Sequence, residues 1–235
     1  ALRLSTYAVI QAADNWNGDG ALVRLGAICF ANDIRTNGSN YSLVGGILDG
    51  RNVAGGVSID GGRETMIRDV SIKHATVGLH IKTGANNRSS DADVYGVNII
   101  GSNRVDSIGV LVEGFDNTLS NMRIADVQYG VILRSCGNML RSIHPLYTCS
   151  RQDYANSVGF WDQAGNNWYD YCYADHFAIG YRNAPGVSST YLNSFCMWYA
   201  PEGECHTVFR ADGSFNSTVS NLRVGFHAEF ENNVL

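Results

Sequence analysis

The sequence predicts an all-β fold, a right-handed parallel β-helix of about eight or more coils, on three observations. A phrase of apolar-x-polar/small-apolar-x-apolar recurs at Val44 (VGGILD), Ile67 (IRDVSI), Val94 (VYGVNI), Leu119 (LSNMRI), Leu140 (LRSIHP), Trp168 (WYDYCY), Leu192 (LNSFCM) and Val219 (VSNLRV). The copies lie 21 to 28 residues apart. A second phrase, apolar-Gly-apolar-x-apolar, follows most copies: GGVSI at Gly55, VGLHI at Val77, IGVLV at Ile108 and YGVIL at Tyr129, then weaker VGFWD at Val158 and IGYRN at Ile179. With 26 Gly, 3 Pro and no good helix formers in a sustained helical pattern, the composition suits short strands and tight turns.

Both phrases alternate with period two, so each reads as a strand. A period near 25 residues built of strands and turns marks a solenoid, whose units bury their apolar faces only on one another. Leucine-rich repeats need a fixed leucine line that is absent, and propeller blades need a longer period. The third position of the phrase stacks Asp69, Asn121, Ser142, Asp170, Ser194 and Asn221 as a polar column. The glycine column (Gly78, Gly109, Gly130, Gly159, Gly180) fits a place where a side chain clashes or φ is positive. The fifth position points outward and stacks Ser71, Asn98, Arg123, His144, Cys172, Cys196 and Arg223. That template makes Cys172 and Cys196 neighbours, read as a reduced thiol stack.

The repeats organise the chain as an N-terminal segment, 1–43, of early coils or a cap, and a helix over 44–235. Ala21–Phe30 alternates weakly, as an early coil would. The longest insertions, Ala85–Asp93, Leu146–Ser157 and Pro201–His206, are expected to gather on a binding face. The chain starts without an initiator Met or a signal peptide, and Leu235 follows no capping element. A piece of a longer protein is the expectation.

Net charge is −5 and the pI about 5.6, which argues against nucleic acid as a partner. No apolar run approaches the roughly 18 residues of a membrane span. The six cysteines lack metal-ligand spacing and read as reduced packing residues. No cofactor and no metal are expected. Sequons at Asn37, Asn40, Asn87 and Asn216 arise readily in so Asn- and Ser-rich a chain.

GGILDG (Gly45–Gly50) followed by GGVSIDG (Gly55–Gly61) resembles the opening coils of the pectate-lyase and pectinase-like β-helix superfamily. The stretch from Val44 to Val224 resembles that fold, and GNMLRSIHPLYT (Gly137–Thr148) is most similar to bacteriophage tailspikes. The resemblance implies homotrimers that bind, and usually cleave, a bacterial capsule or O-antigen from the virion tail. The acidic calcium cluster and arginine of pectate lyases are absent, as is the paired-Asp signature of polygalacturonases.

Sugar binding calls for flat aromatic faces with polar groups beside them. Aromatics crowd Phe160–Tyr199. On the template Trp168, Tyr171 and Tyr173 face inward, whereas Trp161, Tyr169, Trp198 and Tyr199 fall at outward or turn positions; a subunit interface also favours such residues. Glycosidic hydrolysis takes two carboxylates. Asp175, in a turn before His176 and beside the aromatics, is the leading acid. Asp162 interrupts the apolar phrase VGFWD, which points to a site. Asp170 belongs to the polar column, and Glu113 aligns with Lys82 and Arg134, as an ion pair would. His144, near Arg141 and Arg123, offers the alternative of β-elimination on a uronate. Three functions compete: a tailspike-type hydrolase, a non-catalytic carbohydrate-binding adhesin, and a monomeric secreted lyase or hydrolase.

Overall fold

The computed structural model describes residues 2–16, 20–25, 41–83, 89–149, 151–198 and 207–226. These residues form 24 strands and one short 3-10 helix, Arg151–Asn156. Strands pair in parallel, each with its counterpart one repeat further along the chain. They make one sheet of 16 strands and one of 8. The larger sheet holds two strand columns, which merge where Thr118–Ala125 and Met139–Leu146 run through both. Each repeat therefore crosses three faces before restarting. The result is a curled stack of coils, compatible with a parallel β-helix.

The first face carries nine successive strands, from Leu2–Arg3 to Thr218–Ser220. Ala21–Leu25 opens the third face and pairs with Gly55–Asp60. One inward column runs Leu43, Ile67, Val94, Leu119, Leu140, Tyr169 and Tyr191, all buried. The interior is aliphatic in the early coils and aromatic in the later ones. Phe160 stacks on Tyr181 at 5.0 Å, and Tyr169 on Tyr191 at 4.4 Å.

Between the first and second faces the chain bends through a column of residues in left-handed conformation: Gly45 (with Gly46 beside it), Asp69, Gly96, Asn121, Ser142, Tyr171, Asn193 and Asn221. Glycine, Asn and Asp tolerate that region best, which explains the polar third position. The column is thus conformational first. Only locally does it bond along the stack, as where Asn221 Nδ2 donates to Asn193 Oδ1 at 2.9 Å. Asp170 and Ser194 are not members of it; Tyr171 and Asn193 hold those places.

The glycine column resolves the other way. Gly78, Gly109, Gly130, Gly159 and Gly180 have no positive φ. A Cβ on Gly78 would lie 2.6 Å from the Gly109 carbonyl oxygen and 2.6 Å from Ile99 Cγ2. Close approach of the second and third faces, one coil on the next, excludes a side chain.

A buried ladder lies two residues before the inward column. Asn117 N donates to Asn138 Oδ1 (3.1 Å), Asn138 N to Asn167 Oδ1 (2.9 Å), Asn167 N to Ser189 Oγ (3.1 Å), and Ser189 N to Ser217 Oγ (3.0 Å). Each side chain satisfies a turn amide that no strand reaches.

Two copies of the phrase sit one residue out of the expected register. Tyr169, not Trp168, pairs with Leu140, and Tyr191 follows it in the column. Tyr169 is therefore core (1% exposed) and Trp168 faces outward (45%). Tyr171 is also exposed, at 67%. Cys172 and Cys196 are buried instead of outward, and Cys196 pairs with Ala174 rather than with Cys172. Both thiols are free, as are Cys136 and Cys149. Burial pushes the Cys172 thiol up to about 12. Tyr199, residues 85–88 of the Ala85–Asp93 insertion and all of Pro201–His206 lie outside the described residues.

Candidate functional site

The slip of register assembles the site. With Tyr169 inward, Tyr173 takes the outward second-face place that the template assigned to Cys172, and Phe195 replaces Cys196. The outward column then runs Arg123, His144, Tyr173, Phe195 and Arg223. His144 stacks face to face on Tyr173, centroids 4.0 Å apart and planes 13° apart. This column forms one wall of a groove of ≈ 460 Å³; Ser142, Tyr171, Asn193 and Asn221, at the left-handed bend, form the other. The lining residues come from successive coils, so the groove runs along the stack.

Behind His144 lies Asp175, at the end of the strand Tyr173–Asp175 and 8% exposed. Its Oδ2 meets His144 Nε2 at 3.2 Å, and its Oδ1 bonds His176 Nδ1. Burial alone would raise the Asp175 carboxyl, but hydrogen bonds from His144 and His176 outweigh it and hold it at about 2. The carboxylate is ionised at neutral pH, so the facing His144 Nε2 carries a proton. In the neutral imidazole, Nδ1 is then the free base.

Most of the described arginines are paired, and outside the groove the described cations with no acidic partner among the described residues are Arg3, Lys73 and Lys82. Arg24, Arg51, Arg63, Arg68, Arg104, Arg134, Arg141, Arg182 and Arg210 all have an acidic partner. Arg123 and Arg223 have none among the described residues; Arg123 Nη1 donates only to the Met122 carbonyl oxygen, at 3.2 Å. These two sit at opposite ends of the groove.

The remaining candidates lie elsewhere. Asp162 is sealed inside the stack, 0% exposed. It accepts from the amides of Ala164 and Gly165, from Asn167 Nδ2, from Tyr169 Oη at 3.1 Å and from Ser189 Oγ at 2.6 Å. It anchors a turn and lets Tyr169 be buried, so the carboxyl in VGFWD is a packing device. Asp170 is on the first face, 3.6 Å from Arg141 and bonded by Asn193. Glu113 bonds His80 Nε2 at 2.9 Å and Arg134 Nη1 at 3.2 Å on the third face. Burial raises its carboxyl, yet His80 and then Arg134 bring it below the ordinary range. Trp161 is on the same face with the Arg182 guanidinium 4.3 Å from its ring. Trp198 is core, 1% exposed, and its Nε1 donates to the Phe177 carbonyl. Tyr169 and Trp198 thus offer no face to a sugar.

Sequence reasoning missed Tyr173, Phe195, Tyr171 and Asn193 as groove residues. The signal was available in the buried ladder: aligning Asn117, Asn138, Asn167, Ser189 and Ser217 sets the register that reveals them. Among the described residues no His, Cys, Asp and Glu side chains gather in threes fit to hold a metal ion. No described helix is long and apolar enough to cross a membrane. Comparison with family models, curated proteins and solved structures returns no match.

Proposed function

We propose that this chain is a right-handed parallel β-helix that binds an extended, acidic bacterial surface polysaccharide along the Arg123–Arg223 groove and cleaves it, as a trimeric tailspike-type depolymerase acting outside the cell. The observation that carries this reading is the pair of guanidinium groups, without acidic partners among the described residues, at the ends of an aromatic-walled groove that contains His144. Uncompensated cations in a groove attract an anionic polymer, and aromatic faces accept the C–H faces of sugar rings.

The chemistry that fits best is β-elimination. Hydrolysis needs a protonated carboxyl group and a second carboxylate near it. Asp175 is ionised, Asp162 is sealed away, and no Asp or Glu lines the groove among the described residues. In elimination, Arg123 neutralises the uronate carboxylate, which acidifies the proton on the adjoining ring carbon. His144 Nδ1 takes that proton. The electron pair moves in to form a carbon–carbon double bond as the glycosidic C–O bond breaks, and the leaving oxygen takes a proton from solvent. Asp175 holds the imidazole in the required tautomer and stabilises the imidazolium that forms.

The test incubates the protein with acidic polysaccharides and follows the ultraviolet absorbance of unsaturated ends. We expect turnover, abolished to about a thousandth by His144→Gln with binding retained. New reducing ends without absorbance would mean hydrolysis. Binding without new ends would mean an adhesin. A monomeric solution mass by light scattering would remove the tailspike assembly.

A further inference from the structure

We infer that the polysaccharide recognised here is a heteropolymer carrying one acidic sugar in each repeating unit, with successive acids spaced to reach Arg123 and Arg223 together. The inference rests on the groove being the polysaccharide site. Arg123, His144, Tyr173, Phe195 and Arg223 occupy consecutive coils on one outward column. Parallel strands stack about 4.8 Å apart, so the two guanidinium groups stand about four rises, roughly 19 Å, apart along the groove.

What lies between them is neutral or unfriendly to anions. Tyr173 and Phe195 present rings, and their centroids are 4.9 Å apart. Ser142, Asn193 and Asn221 on the opposite wall offer uncharged polar groups. Between the two arginines stands His144, and its partner Asp175 is a fixed negative charge directly behind it. A polymer with an acid on every sugar would lay carboxylates over Tyr173 and Phe195, where nothing compensates their desolvation. A chain with neutral sugars on the rings and an acid at each end meets both arginines without that cost.

The two arginines then divide the work. Arg123 is one coil from His144 and meets the carboxylate of the sugar that loses its proton. Arg223 holds the acid of the next repeat and sets which sugar arrives at His144. Arg223 is a specificity residue remote from the reacting bond, and Arg123 acts at it.

The test compares two probes by titration calorimetry on the full chain: gellan, which has one glucuronate per repeat of several sugars, and polygalacturonate, which has an acid on every sugar. We expect gellan to bind at least about tenfold more tightly, since each charge-assisted bond in a partly desolvated site contributes at about that level. Arg223→Ala should lose about tenfold in gellan affinity and raise KM with kcat unchanged, whereas Arg123→Ala should lower kcat. Polygalacturonate binding as tightly as gellan, or Arg223→Ala leaving gellan affinity unmoved, overturns the spacing while the groove stands. Binding of either polymer that survives Arg123→Ala and Arg223→Ala together, or no binding of either polymer, overturns the groove itself.

Discussion

Asp162 and Asp175 are both buried aspartates at strand ends in the aromatic half of the molecule, yet their surroundings assign them opposite work. Asp162 faces the interior and accepts from two backbone amides, an asparagine, a tyrosine and a serine. None of those donors gives up its proton near neutral pH, so the cluster is inert. Asp175 sits at the outer wall, and its partners include the imidazoles of His144 and His176 beside the Tyr173 side chain. An imidazole can both give and take a proton, and one of these rings lines an open groove. Burial and hydrogen bonding therefore do not mark a reactive carboxylate. The chemistry of its partners and their access to a ligand do.

The sharpest way to break this contrast is Asp162→Ala. Removing the carboxylate strands several buried donors at once, each costing about 1–3 kcal/mol. We expect stability to fall by about 4 kcal/mol, read as a large drop in the urea midpoint. A variant that kept its midpoint and lost activity would reverse the roles of the two aspartates.

Asp175→Asn should act the other way. The amide no longer enforces Nε2–H on His144, so turnover should fall by about ten- to a hundredfold with the fold intact. The pH profile of turnover should shift with it, which a purely structural role would leave in place. Substitution of His176 to Asn, which keeps a donor to Asp175, should restrict the loss and separate orientation from charge.

The smallest effect is on acid stability. Asp175 titrates at about 2 in the folded chain against an ordinary 3.8. Its folded form is therefore favoured above pH 4, and that contribution is lost as pH falls from about 4 to about 2. It amounts to about 2 kcal/mol. The unfolding free energies of wild type and Asp175→Asn should differ at pH 5 and converge near pH 2. Curves that stay parallel throughout would show that the histidines do not hold the carboxylate as inferred.

Much of this was legible along the chain. The repeat length, the polar third position and the glycine column all follow from local patterns. So did the alignment of Glu113 with Arg134, and that of Arg123 with His144 and Arg223. The aromatic stretch WYDYCYADHF was not legible, because both registers put apolar residues at the inward positions: Trp168, Tyr171 and Tyr173 in one, Tyr169, Cys172 and Ala174 in the other. A one-residue slip exchanges the faces of every side chain in a strand. The polar column misled for the same reason, since Asp170 fits a polar position as well as its neighbour Tyr171 fits the bend.

Period-two alternation is a property of neighbouring residues, and a single chain carries it whole: that is why the stack of parallel strands could be read from letters alone. Which face turns inward in the aromatic coils depends on the coils above and below. Tyr169 and Tyr191 can be buried because Asp162 and Asn183 accept their hydroxyl protons. Asp175 meets His144 because the chain between them spans one coil. Those partners are distant in sequence and adjacent only across the stack, so the groove and its His144–Asp175 pair exist as a consequence of coil on coil.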